Sequence, residues 1–245
     1  MSQATTPTQQ PSITEEEQFI EPDISNITIE DDTPVDSWFS EKQQRLLTAS
    51  AYSSLKRETP FVVLANVGLF YAEKHPPLVP DVMLSFGVSV PEDWSQKKNR
   101  SYFVWNMGKP PEVAIEIVSN TVGNELGSKL EDYARARVAY YVVFDPLRCL
   151  KGEVLSVYQL QALRYRRRDD YWMEDIDLGL TLWEGVFEGQ PYNWLRWCDS
   201  QGNLLLTGDE IAQQERQRAE QERQRADRLA ELLRERGIDP EQLSS

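Results

Sequence analysis

The sequence predicts an α/β protein, a mixed central β-sheet flanked by helices, with a long charged helix at its C-terminal end. Three observations carry that reading. Short β-branched and aromatic runs, such as FVVLA at 61–65 and YYVVF at 140–144, recur through the middle of the chain. Between two such runs, Leu126, Leu130, Tyr133, Ala134 and Val138 draw one apolar stripe at helical spacing. Beyond Gly208, QERQRAE is followed at once by QERQRAD, a seven-residue repeat with Ala212, Ala219, Ala226 and Leu233 in register.

The elements follow in order. Residues 1–36 are Thr, Gln, Pro, Ser and acids, too polar to offset chain entropy, and read as a disordered acidic tail. A domain over 37–206 then opens with a helix at about Glu41–Leu55, for which Ser40 and Gln43 have capping-box spacing. Strands are expected at Phe61–Ala65, Leu69–Tyr71, Asp81–Phe86 and Glu112–Val118, separated by the Pro76, Pro77 and Pro80 cluster and a polar loop at Pro91–Arg100. The striped helix, with Asn124 as its cap, leads into Tyr140–Phe144, and shorter strands follow at Val154–Leu160 and Tyr171–Met173. Residues 207–245 read as a charged helix ended by Gly237 and Pro240. Its alanine seam leaves two readings open, a solitary solvated helix or a weak coiled coil that pairs two chains as a homodimer.

Composition excludes several classes. The net charge of −14 sits in the ends, since residues 1–40 hold nine acids and no Lys or Arg. The near-neutral middle lacks the basic footprint of a general nucleic-acid binder, although it leaves room for a local basic patch. Cys149 and Cys198 are too few for a disulfide framework or a thiolate zinc site, and no apolar run approaches membrane-spanning length; a reducing, cytoplasmic setting is expected. The single histidine, His75, sits in a proline-rich loop, which excludes a Ser-His-Asp triad and any multi-histidine metal centre. Phosphate-loop and dinucleotide glycine motifs are absent.

Carboxylates and lysines remain. Glu116 lies in the middle of VAIEIV, where alternation puts Ala114, Glu116 and Val118 on one face. An ionised carboxylate there needs a proton, a cation or a metal, and Arg135 is the simplest structural partner. Asp81, at the head of its strand after Pro80, would be a turn residue alone; beside Glu116 it makes an oxygen cage suited to Mg²⁺. Lys129 falls at the margin of the apolar stripe, where its ammonium can reach such a site. Glu125, four residues earlier, reads as a surface partner of Lys129 or as a support to the site.

The run EVAIEIVSNTVGNELGSKLEDYARARVAYYVVFDP, with VPDVMLSF upstream, resembles the bacterial Uma-type restriction-endonuclease family, a branch of the PD-(D/E)XK nucleases. Pro80 and Asp81, Glu116, Ser119 and Thr121, Glu125 and Lys129, and Asp145 and Pro146 occupy the family's places over roughly Ser40–Leu160. Val118 stands where the superfamily's ExK lysine belongs, and Glu125 replaces the more usual aspartate. The resemblance implies a restriction-endonuclease-like core and a metal-dependent endonuclease cutting phosphodiester bonds, with DNA as substrate. It further implies Mg²⁺ or Mn²⁺ held by Asp81, Glu116 and the Ile117 backbone carbonyl, and Lys129 in the place of the missing lysine. Arg164, Arg166, Arg167 and Arg168, four arginines within five residues, are the candidates for gripping nucleic acid. The competing reading is an inactive nuclease fold serving as an interaction scaffold through its C-terminal helix.

Overall fold

A computed structural model of the chain describes residues 23–25, 27, 37–119 and 124–237. The tail read as disordered lies almost wholly outside the described residues, as does Thr121. Helix α1 (Trp38–Ser54) is followed by β1 (Phe61–Ala65), β2 (Leu69–Phe70), β3 (Val82–Phe86), β4 (Tyr102–Phe103) and the single turn α2 (Val104–Met107). Next come β5 (Val113–Ile117), α3 (Ser128–Arg135), β6 (Tyr140–Phe144), β7 (Leu155–Gln161), β8 (Arg164–Arg167) and β9 (Trp172–Met173). A long hairpin of β10 (Leu178–Phe187) and β11 (Gln190–Cys198) leads to α4 (Gly208–Glu235).

Six strands form the central sheet in the order β1-β3-β5-β6-β7-β8, and β9, β10 and β11 form a second sheet. Only β5 and β6 run parallel within the large sheet, so the chain must cross over between them. That crossover is α3. The alternation expected of β5 holds: Val113, Ile115 and Ile117 face a core shared with Leu47 and Ala51 of α1 and with Leu195 and Trp197 of β11. Ala114 and Val118 face the opposite core, with Tyr133 and Val138 and with Tyr141 of β6. Glu116 belongs to this second face, the one that α3 covers.

Two caps differ from expectation. Ser37, not Ser40, caps α1, its Oγ accepting from the Ser40 N–H at 3.1 Å. Ser40 and Gln43 lie inside the helix and are buried. The Gln43 amide instead bonds both ways with the Leu195 backbone, at 2.9 Å each, and fastens α1 to β11. Asn124 caps no helix; with φ +54 it opens the turn before α3, and Leu126, expected in the stripe, is 46% exposed. The long C-terminal helix is present, with Thr207 and Glu210 forming a true capping box and Gly237 at φ +74 just past its end. Among the described residues no helix is long and apolar enough to cross a membrane.

Candidate active site

Strand pairing brings the two acids together. In the antiparallel β3–β5 ladder Val82 lies opposite Ile115; Asp81 immediately precedes Val82 and Glu116 follows Ile115, so the two acids sit at adjoining strand positions. Asp81 is held at both oxygens, Oδ2 accepting from the Ile117 N–H at 2.7 Å and Oδ1 from the Gln44 side chain of α1 at 2.8 Å. The aspartate that opens a strand is therefore fastened into the sheet rather than left as a turn residue.

Glu116 is 3% exposed. Its Oε2 accepts from Lys129 Nζ at 2.8 Å and its Oε1 from the Tyr133 hydroxyl at 2.6 Å, one helical turn further along α3. Arg135, the structural partner weighed for Glu116, instead pairs with Asp132 at 3.0 Å. Burial pushes the Glu116 carboxyl up to about 7; Lys129 pulls it down, the charge on Asp81 pushes it up again, and the Lys129 and Tyr133 hydrogen bonds lower it. Burial also works against the Lys129 ammonium, yet Glu116, Glu125 and Asp81 together hold its pKa above the ordinary lysine value. Burial and Glu116 raise the Tyr133 phenol well above its usual range, so Tyr133 is a donor here.

Glu125 departs from the surface pair considered for it. It is 6% exposed, with Oε1 3.7 Å from Lys129 Nζ and Oε2 buried without a hydrogen-bond partner. The Tyr141 hydroxyl donates to its backbone carbonyl at 3.0 Å and anchors the turn. Tyr133 of the apolar stripe stacks on Tyr141 of β6 with ring centroids 4.9 Å apart, an aromatic floor that neither the stripe nor the strand pattern points to alone. Asp145, which closes β6, is structural: its two oxygens accept from the Cys149 and Leu150 N–H groups and fold the following loop.

No group of three or more His, Cys, Asp or Glu side chains arranged to hold a metal ion occurs among the described residues. Two carboxylates nevertheless suit Mg²⁺, which commonly takes one or two together with water and substrate phosphate oxygens. The all-oxygen donor set and the unpartnered Glu125 Oε2 beside it fit a hard divalent cation.

The arginines do not converge. Arg167 pairs with Glu153, and Arg168 with Asp170 and Glu174 at 2.9 and 2.8 Å. Arg164 lies on the edge strand β8 facing the end of α3. Tyr165 packs in the core, its hydroxyl bonded to the Val138 carbonyl.

The mixed sheet and its crossover helix thus bring Asp81, Glu116 and Lys129 into one neighbourhood. The chain belongs to the Uma2 family, described as "Putative restriction endonuclease", which matches residues 11–181. The match ends inside β10, so β11 and α4 lie beyond it. None of the curated proteins matches. Among solved structures, the crystal structure of "a putative nuclease belonging to DUF820" from Anabaena variabilis is similar, with 13% identity and a TM-score of 0.42 over 65% of this chain and 80% of that one.

Proposed function

We propose that the protein is a divalent-metal-dependent endonuclease that hydrolyses phosphodiester bonds in DNA, with Asp81, Glu116 and Lys129 as its catalytic residues. The contact between Lys129 Nζ and Glu116 Oε2 carries the reading. It supports the idea that a lysine from the crossover helix takes over from the ExK position filled by Val118. Asp81, Glu116 and the Ile117 backbone carbonyl are the residues that would hold the ion. When bound, Mg²⁺ or Mn²⁺ supplies Lewis-acid charge and lowers the pKa of a coordinated water.

The side chains do the rest. Tyr133 and Lys129 each occupy one oxygen of Glu116 and fix its rotamer, so the carboxylate keeps its aim without reorganising. Gln44 and the Ile117 N–H do the same for Asp81. The Lys129 ammonium, kept protonated by its acidic neighbours, stands ready to stabilise charge building on phosphate oxygens. Glu125 holds the lysine from its other side.

Incubating the purified protein with Mg²⁺ or Mn²⁺ and with plasmid, linear duplex and single-stranded DNA tests the reading. Cleavage is expected, along with its loss in Lys129→Met and a lost metal-induced thermal shift in Asp81→Asn. Inertness on every DNA form, or wild-type cutting by Lys129→Met, would sink it.

One observation favours the scaffold alternative: α4 is exposed along most of its length, with Leu229 58% and Leu232 48% exposed. On that reading α4 recruits a partner, and a second copy of the chain is the partner the repeat suits. Sedimentation should then show a dimer that Leu229→Glu with Leu232→Glu dissolves, from a protein that cuts nothing.

A further inference from the structure

The far end of α3 forms one wall of a groove that the catalytic reading leaves unused. After Arg135 the chain turns back through Arg137, at φ +60, into β6. Opposite, Ala162 and Leu163 join β7 to β8 with φ values of +48 and +68. A two-residue turn with both central residues at positive φ normally calls for Asn and Gly. A leucine held there is strained, and at 62% exposure Leu163 gains little burial in return. The turn thus projects an apolar side chain over a groove of about 660 Å³ whose lining includes Leu130, Ala134, Arg137, Arg164 and Tyr165.

The groove has an unbalanced charge. Its other charged members, Glu131 and Arg135, are within 3.9 Å of each other, and Arg135 also meets Asp132 at 3.0 Å. Arg137 and Arg164 have no carboxylate at ion-pair distance among the described residues. Two uncompensated guanidiniums over an apolar and aromatic floor match a chain that alternates phosphates with sugars and bases. Position agrees with chemistry: Arg135 lies six residues beyond Lys129 on α3, about 9 Å along the axis. At about 3.4 Å of rise per nucleotide, that is two or three base steps from the reacting phosphate.

We propose that this groove binds the sugar-phosphate backbone of the substrate strand a few nucleotides from the cut, with Arg137 and Arg164 as the phosphate contacts and Leu163 as the rim. The assignment rests on the nuclease reading and narrows it, since it removes Arg167 and Arg168 from the grip and adds Arg137.

Fluorescence anisotropy with labelled single-stranded and duplex oligonucleotides, in EDTA across a salt series, separates the two claims. Arg137→Asn suits the positive φ, and its combination with Arg164→Gln should weaken binding at least tenfold. The same pair should lower the slope of log affinity against log salt by about 1.5. Arg225→Gln with Arg228→Gln, which removes equal charge from exposed α4, should stay within twofold. Arg164→Glu alone, on an edge strand, repeats the test should the double variant not fold. Wild-type binding with the slope unchanged in the groove variants, or an equal loss in the α4 control, overturns the groove alone. Absence of any salt-dependent binding by the wild type overturns the nuclease reading with it.

Discussion

Two half-buried ion pairs, Glu116 with Lys129 and Arg196 with Glu210, use similar chemistry for opposite ends. Arg196 is 0% exposed; it grips both oxygens of Glu210, at 2.9 and 2.8 Å, and also donates to the Leu205 carbonyl. Its guanidinium lies 4.9 Å from the Trp183 ring, and the Thr207 N–H adds a further bond to Glu210. Burial opposes the Glu210 charge, but Arg196 and Thr207 outweigh it and hold the carboxyl below its ordinary pKa. Glu116 is more deeply enclosed and has Asp81 as a like-charged neighbour, so its carboxyl rises to about 7 despite two donors. A pair that closes its own charge is a clamp between β11 and α4. One left short of positive charge keeps a raised carboxyl, which on the proposed reading is where the divalent cation sits.

Separating the two by substitution gives the largest expected effects. On the proposed nuclease reading Glu116→Gln should lower metal-dependent cleavage by about 10³-fold while leaving the fold intact, because the amide keeps its size and an oxygen for Tyr133 or Lys129. Glu210→Ala should do the reverse, costing about 3 kcal/mol of stability in urea titrations by stranding the buried Arg196 charge. Its cleavage rate per folded molecule should not change. If Glu116→Gln unfolds the protein, or Glu210→Ala cuts no DNA while folded, the division between site and clamp is wrong.

The pH dependence sharpens the contrast, and its sign differs between the pairs. A carboxyl raised in the folded state binds its proton more tightly there. Glu116 therefore makes metal-free protein lose stability as pH rises from about 4.5 to about 7. Glu116→Gln should remove that fall and be the more stable protein at pH 8, by an amount on the order of 1–3 kcal/mol. Glu210 is lowered, so its contribution is complete above the ordinary glutamate range and disappears as pH falls through the depressed value. Denaturation in EDTA across pH 4–9 reads both slopes; parallel slopes would dissolve the comparison.

The sequence made one of these pairs legible and hid the other. Glu116 stood out because a charge interrupts a strand buried on both faces, and Asp81 and Lys129 followed from strand order and helical spacing. Those signals are local. Arg196 pairs with a residue of another element, and the β10–β11 hairpin that carries it went unread, glycines interrupting the alternation of its first strand. The structure gives those glycines a packing reason: a Cβ on Gly179 would lie 2.9 Å from Trp172 and Cys198, and one on Gly185 would collide with the Trp183 ring. Ser37 was passed over as the cap of α1 because Ser40 and Gln43 have capping-box spacing, but both are needed inside, where Gln43 binds β11. Glu125 looked like half of a surface pair because the helix was started three residues too early; placed in a turn, it packs inward under Lys129.

The smallest effects test where the clamp gets its strength. Thr207 and Ser37 each cap a helix through a side-chain oxygen, and the loss of either should cost about 1 kcal/mol. Thr207 does more, since its hydroxyl also donates to Glu210 Oε2 at 3.1 Å, an oxygen that Arg196 holds as well. Removing it leaves that carboxylate with one donor fewer, so Thr207→Ala should destabilise by more than Ser37→Ala. The excess should disappear in a Glu210→Ala background, where the donor has nothing to hold. Equal costs for the two caps, or an excess that survives without Glu210, would mean that Arg196 alone closes the clamp and that the capping box is an independent device of α4.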